Sequence, residues 1–399
     1  MTGSIRARGT NRPATIRPNR AVATLRAAAS AVPVLPEIRI ARASQPLTSR
    51  WSELRVTPPG STMIGISYRP LQAAALGLDP RHVLAELLSY PFPLIRLAAY
   101  WNQLESGPNR LETSALDRQI DDATQAGKKI ILCVGAVKAF GYPEFFVPVH
   151  HLPQPLPEGR LITPRTHPRL ADAAARFVAR LVERYRDRTE IIAWQVEHEP
   201  ADPLGMEHSW RLSAEFVRQE VAAVKAADPG RPVLLTGFVP TSIPVRLQQH
   251  WRTRDQGDSL AVAGQLADVV GLNYYPRHGV VSFGSRTAYL AGSASPWQQR
   301  ATARLCAELA RAGHRLMVTE GQAEPWETVT TPPSQPGSGM FSCLPEHVIE
   351  NYNAGLRLGG AAPDGLWAFL FWGAEYWLKR RDQGDERYLA AFSRVLAAR

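Results

Sequence analysis

Cysteine is scarce in this chain of 399 residues, which has only Cys133, Cys306 and Cys343. An odd, widely spaced set excludes a disulfide framework and a cysteine-based zinc site, leaving buried or free thiols. Long apolar runs are lacking too. Ala21 to Pro36 is broken by Arg26 and by prolines, and no segment approaches the roughly 20 uninterrupted apolar residues that cross a bilayer, so an integral membrane protein is excluded. The glycine-rich turn of a dinucleotide fold is also missing, because Gly65 after Ile64 has no companion glycines, and no cofactor is expected.

Acidic residues are nearly absent from the first 60 positions, where ten Arg face only Glu37 and Glu53. That segment therefore carries +8 of the formal net charge of +10, and the rest is close to neutral. A nearly neutral body has no electrostatic reason to seek phosphate, so no nucleic-acid partner is expected. Residues 1–55, rich in Arg, Ala and Pro and without a sustained period, read as a disordered basic leader. Ala21 to Pro36 followed by Ala41-Arg42-Ala43 imitates a secretory signal poorly, since Arg26 interrupts its core.

What is present is alternation. Short apolar runs at Met63 to Ser67, Leu94 to Ala98, Lys129 to Val134, Ile191 to Val196, Val233 to Gly237, Val269 to Asn273, Leu316 to Thr319 and Leu366 to Phe371 predict strands. Amphipathic stretches at Pro80 to Ser89, Ser114 to Ala126, Leu170 to Arg186, Ser209 to Ala227, Trp297 to Ala312 and Glu346 to Leu358 predict helices between them. Parallel strands need crossover connections, and eight strand–helix units fit an α/β fold of the (β/α)₈ TIM-barrel type, a single domain over residues 56–399. Two connections, Gly135 to Pro168 and Gly321 to Glu346, are long and follow strands. They therefore lie on the C-terminal face, where barrel active sites are built.

Two predicted strands end in a carboxylate: Trp194-Gln195-Val196-Glu197-His198-Glu199-Pro200, and Val318-Thr319-Glu320-Gly321. Cleaving a glycosidic bond needs one protonated carboxyl to assist the leaving oxygen and one ionised carboxylate to attack or to activate water. These segments resemble the fourth- and seventh-strand motifs of clan A glycoside hydrolases, which include the family 5 cellulases and the family 42 β-galactosidases. The resemblance spans about residues 60 to 395 in order.

It implies a retaining β-glycosidase acting on a carbohydrate substrate, with Glu199 as acid/base and Glu320 as nucleophile. Leu94-Ile95-Arg96-Leu97 is similar to the second-strand arginine motif, which implies that Arg96 steadies Glu320. Asn273-Tyr274-Tyr275-Pro276 resembles the sixth-strand segment, with Tyr275 bonded to the nucleophile and Asn273 where many members carry His. Phe371-Trp372-Gly373 looks like the eighth-strand tryptophan under the sugar, and Tyr100, Trp101 and Trp326 offer further flat faces for a pyranose.

His198 stands where the clan usually has Asn contacting the sugar 2-hydroxyl; family 26 mannanases share that His, which makes a manno-configured or otherwise non-gluco substrate an expectation. An imidazole there would gain charge near pH 6.5. Strict alternation places Gln195, Glu197 and Glu199 on one side of the strand and His198 on the other, with Glu197 below Glu199 as the structural partner of a buried cation. Glu324, in the long loop, is expected to touch a sugar hydroxyl. Adjacent His150 and His151 in a Pro-rich loop, with His167, are not expected to converge on a metal. Three readings follow: a retaining hydrolase, a transglycosylase on the same residues, and a non-catalytic carbohydrate-binding barrel.

Overall fold

The computed structural model describes residues 38–42, 44–108, 110–203, 209–240, 242–283, 285–291, 296–326, 335, 337–360 and 365–398. Eight strands close into a barrel, numbered here β1 (Met63–Ser67), β2 (Leu94–Ala98), β3 (Lys129–Cys133), β4 (Ile191–Gln195), β5 (Val233–Phe238), β6 (Val269–Tyr274), β7 (Arg315–Gln322) and β8 (Ala368–Trp372). Each runs parallel to both neighbours, and β8 pairs with β1 to close the ring. This is the expected (β/α)₈ barrel, strand for strand.

The strands read as nearly continuous apolar runs because both faces are buried. Inward-facing Leu94, Ile131, Ala193, Leu234, Val269, Met317, Ala368 and Leu370 fill the barrel. Outward-facing neighbours such as Ile95, Leu132, Trp194, Leu235 and Val318 join the larger core under the helices. The helix Pro168–Tyr185 shows how that layer forms. Phe177, Val178, Leu181, Val182 and Tyr185 fall on its buried stripe, and Pro168 opens it at the first turn, where a missing N–H costs nothing. Side-chain caps start others: Asp79 accepts from His82 N at 2.8 Å, Ser213 from Phe216 N at 3.1 Å and Asp258 from Ala261 N at 2.9 Å, contributing about 1 kcal/mol each.

Two expectations need correction, and one element was not anticipated. The helix expected from Ser209 begins at Ala214, because Arg211–Leu212 pairs with Leu161–Ile162 instead. The connection after β6 holds an antiparallel hairpin, Arg277–Phe283 with Arg286–Ala291, which no local period announced. The leader also ends earlier than residue 55. Ile38–Arg42 pairs antiparallel with Arg286–Ala291, and Ser44–Pro46 with Ser338–Met340, so backbone ladders draw these residues into the fold despite their composition. Residues 1–37 lie outside the described residues. Among the described residues no helix is long and apolar enough to cross a membrane, and Cys133, Cys306 and Cys343 are buried free thiols.

Candidate active site

The C-terminal ends of the strands collect polar residues that the barrel interior otherwise excludes. Arg96, third in β2, follows the inward Leu94 and so points inward as well; it is fully buried. Its Nη2 donates to Glu320 Oε1 at 2.6 Å, and its guanidinium carbon lies 3.8 Å from the centre of the Phe140 ring. The Tyr275 hydroxyl donates to the other oxygen, Oε2, at 2.6 Å. Burial and the neighbouring Glu320 carboxylate raise the phenol of Tyr275 well above its ordinary range, so it stays a donor.

Glu320 reaches this position through an irregularity. Met317 faces the barrel interior and Val318 the helices, so strict alternation would turn Glu320 outward with Val318. The register shifts against both neighbouring strands, with Leu272 opposite Val318 but Asn273 opposite Glu320. The extra residue is a β-bulge that turns the carboxylate into the mouth.

Glu199 is aimed by a different device. After β4 ends at Gln195, Glu197 and Glu199 both adopt left-handed backbone, with φ 52° and 45°. Such conformations cost on the order of 1–3 kcal/mol each and persist only where surroundings enforce them. Here the loop after β3 does so. Glu197 accepts from the backbone N–H groups of Val137 (2.8 Å) and Lys138 (2.5 Å), and His198 N donates to Lys138 O at 2.9 Å. Buried Lys138 then donates its Nζ to the carbonyls of Glu199 (2.6 Å) and Asp202 (3.0 Å). Gly135 permits this approach, since a Cβ there would overlap the backbone of Glu197.

The expectation for Glu197 is corrected in its partners. Its carboxylate is held by backbone amides and interacts with buried Glu220, whose own carboxyl is pushed well up by burial and by Glu197. Lys138, the nearby cation, spends its donors on carbonyls.

The turn also overrides alternation at His198. Its Nδ1 lies 3.3 Å from Thr236 Oγ1 and 3.5 Å from Glu320 Oε1, on the same side as Glu199. Burial pulls this imidazole down to about 4, with Arg96 and Lys138 reinforcing the shift and Glu320 opposing it. It is therefore neutral at physiological pH, not poised near 6.5. Glu199 accepts from Asn273 Nδ2 at 2.7 Å, and Thr319 Oγ1 donates to Asn273 Oδ1 at 2.7 Å, which fixes the amide's orientation. Burial, then Asp202, then Glu320 push the Glu199 carboxyl well above the ordinary range, against the pull of Asn273.

Of the expected aromatic faces, Trp372 is half-buried and lies over Arg69, whose guanidinium carbon is 4.2 Å from the ring centre. Trp326 is 37% exposed and meets the Tyr275 ring edge-on at 5.5 Å. Trp101 and Tyr100 are different. Trp101 is fully buried, stacked on Phe177 and bonded through Nε1–H to Glu105, so its faces belong to the core. Tyr100, 4% exposed, donates to Phe140 O at 3.3 Å and packs on Phe146 at 4.4 Å, inside the wall. Glu324 is likewise engaged: both its oxygens accept from Arg69, at 2.6 and 2.9 Å, and Arg69 also binds Glu375.

Arg69, Lys138 and Glu144 were not anticipated. Glu144, half-buried in the loop after β3, is pushed up to about 8 by desolvation and by Glu320, and it raises Glu199 in turn. Tyr142-Pro143-Glu144 in a long aromatic loop was its only sequence signal. His150 and His151, expected to stay apart, converge on Glu105, because their short turn Val149–His151 lies against the segment after β2. His167 is elsewhere, bonded to Thr166 at the start of the helix Pro168–Tyr185.

The family described as Beta-galactosidase, a glycoside hydrolase family 42 group, matches residues 93–218, from β2 to past Glu199. A GH5_18 protein from Streptomyces cattleya, solved in complex with GlcNAc, is similar at 15% identity with a TM-score of 0.52, covering 85% of this chain and 81% of that one. A GH10 endoxylanase from a sugarcane soil metagenome is 14% identical with a TM-score of 0.49, covering 79% of this chain and 86% of that one. Comparison with curated proteins yields no match. The matched segment covers β2 to the start of the helix Ala214–Ala227, and the closed barrel shares its fold with the GH5_18 protein.

Proposed function

We propose that this protein is a retaining β-glycosidase in which Glu320 attacks the anomeric carbon and Glu199 donates its proton to the departing glycosidic oxygen. The observation that carries the reading is the difference between the two carboxyls. Glu320 is held on one oxygen by the Arg96 cation and on the other by the Tyr275 hydroxyl, each at 2.6 Å. Glu199 is buried beside Asp202 and Glu320, which favours its protonated form. One group is thus prepared as nucleophile and the other as acid, the division of labour that double displacement requires. In the second step Glu199, now ionised, takes a proton from water as the water oxygen displaces Glu320 from the sugar. His198, neutral and between Thr236 and Glu320, contacts the 2-hydroxyl, and the half-buried Trp372 carries the apolar face of the sugar.

The test is a screen of aryl β-glucosides, β-galactosides, β-mannosides and 2-deoxy analogues with the wild type, Glu320→Ala, Glu199→Ala and His198→Asn. Azide should restore turnover to both Glu→Ala variants, giving the α-glycosyl azide with Glu320→Ala and the β-glycosyl azide with Glu199→Ala. Undiminished turnover in either variant overturns the assignment, and a wild type that binds glycosides without cleaving any makes the barrel a binding protein. If His198→Asn leaves both the sugar preference and the 2-deoxy penalty unchanged, His198 does not read the 2-position.

A further inference from the structure

We propose that Glu105, His150 and His151 form a binding site for one divalent transition-metal ion, with zinc as the ion its donors favour. The site is built from residues that the proposed reaction does not use. Glu105 Oε1 lies 2.9 Å from Nε2 of His150 and 2.9 Å from Nε2 of His151, and the three ligand atoms all lie within 4.8 Å of one another. A tetrahedral zinc ion with bonds of about 2.0–2.2 Å holds its ligand atoms about 3.3 Å apart, so small side-chain adjustments would admit the ion. Two imidazoles and a carboxylate suit zinc and its neighbours, whereas magnesium and calcium take oxygen ligands.

Three further features belong to a built site. The Trp101 indole N–H donates to Glu105 Oε2 at 2.8 Å, which turns Oε1 toward the imidazoles; such outer bonds orient metal ligands. Trp101 is itself locked, fully buried between Phe177 and the His151 ring, whose centre is 4.7 Å away. Access is one-sided: the Glu105 side chain is 7% exposed, while those of His150 and His151 are 26% and 20% exposed, leaving a route for the ion and room for water as fourth ligand. Without an ion, both Nε2–H groups must donate to the same carboxylate oxygen, with ring centres 4.4 Å apart. A metal replaces those two bonds with three coordinate bonds as each ring proton moves to Nδ1. Its effect is mechanical, because it clamps the loop after β3 to the turn after β2.

The experiment uses the full chain, stripped with a chelator and titrated with zinc by calorimetry and by thermal melting. The expected result is a single zinc per chain, a melting temperature that rises with zinc, and a loss of affinity of about tenfold or more in His150→Ala and in His151→Ala. No heat and no melting shift up to millimolar zinc would overturn the site, as would binding that survives the double His→Ala variant. Should the variants fail to fold, cobalt(II) in the wild type decides. Intense visible bands of a four-coordinate nitrogen and oxygen site support the proposal; thiolate charge-transfer bands, or the weak spectrum of the hydrated ion, overturn it.

Discussion

Glu199 and Glu320 are chemically identical side chains, and their surroundings alone separate them. Asn273 is the adjustable part of that difference. Its Nδ2–H donates to the Glu199 carboxylate and so favours the charged form, opposing burial, Asp202 and Glu320. Substituting Asn273→Ala removes this downward influence, so Glu199 should hold its proton to higher pH. Because the acid must be protonated to act, the alkaline limb of kcat/KM should move to higher pH. A pH–rate profile checks this, and a limb that stays in place or moves toward acid would contradict the assignment of Glu199 as the acid. The identity of these residues was legible in the sequence, since strand-end carboxylates, Arg96, Tyr275 and Asn273 sit in recognisable segments. Their orientation was not. A period of two cannot reveal the bulge that turns Glu320 inward or the left-handed residues that bring His198 beside Glu199.

At the scale of elements, the turn after β4 is held by the loop after β3 and by the helix Ala214–Ala227, which contributes Glu220. Two neighbouring buried carboxyls coexist only if one keeps its proton, and the amides of Val137 and Lys138, which hold both oxygens of Glu197, favour placing that proton on Glu220. Glu220→Gln retains a donor for Glu197 and an acceptor for Ala136 N, so it should change stability by less than about 1 kcal/mol and leave kcat intact. Glu197→Gln replaces one of the oxygens that accept from Val137 and Lys138 with an N–H₂ donor, and it should cost about 1–3 kcal/mol and lower kcat by misplacing Glu199. Chemical denaturation with kinetics on both variants checks the pair; equal losses would mean that Glu220 is ionised or that the turn does not depend on Glu197. Such contacts lie beyond local reading. Arg69 meets Glu324 and Glu375 across 255 and 306 residues, and Glu105 meets His150 across 45, whereas the strands were visible because each is a local run.

At the scale of the molecule, residues 38–57 link parts of the chain far apart in sequence. Ile38–Arg42 adds a third strand to the hairpin that follows β6, and Ser44–Pro46 pairs with Ser338–Met340 beyond β7. Further on, Arg394 donates to Leu54 O at 2.9 Å, and Asn353 donates to Arg55 O and accepts from Thr57 N, both at 2.8 Å. The segment beyond β7 also carries Ser342, whose Oγ accepts from Trp326 N at 3.0 Å beside Tyr275. Pairing at the chain's start thus bears on the rim of the candidate site. Two truncations separate the expected leader from this clamp. Removing residues 1–37, whose Arg-rich composition offers little apolar area to offset the entropy of ordering, should leave the melting temperature and KM within error. Removing residues 1–46 strips both pairings, with net hydrogen bonds of about 0.5–1.5 kcal/mol each, so it should lower the melting temperature by several degrees and raise KM more than it lowers kcat. If the two truncated proteins melt and turn over alike, the strands at Ile38–Arg42 and Ser44–Pro46 contribute nothing in solution, and the leader extends as far as its composition alone implied.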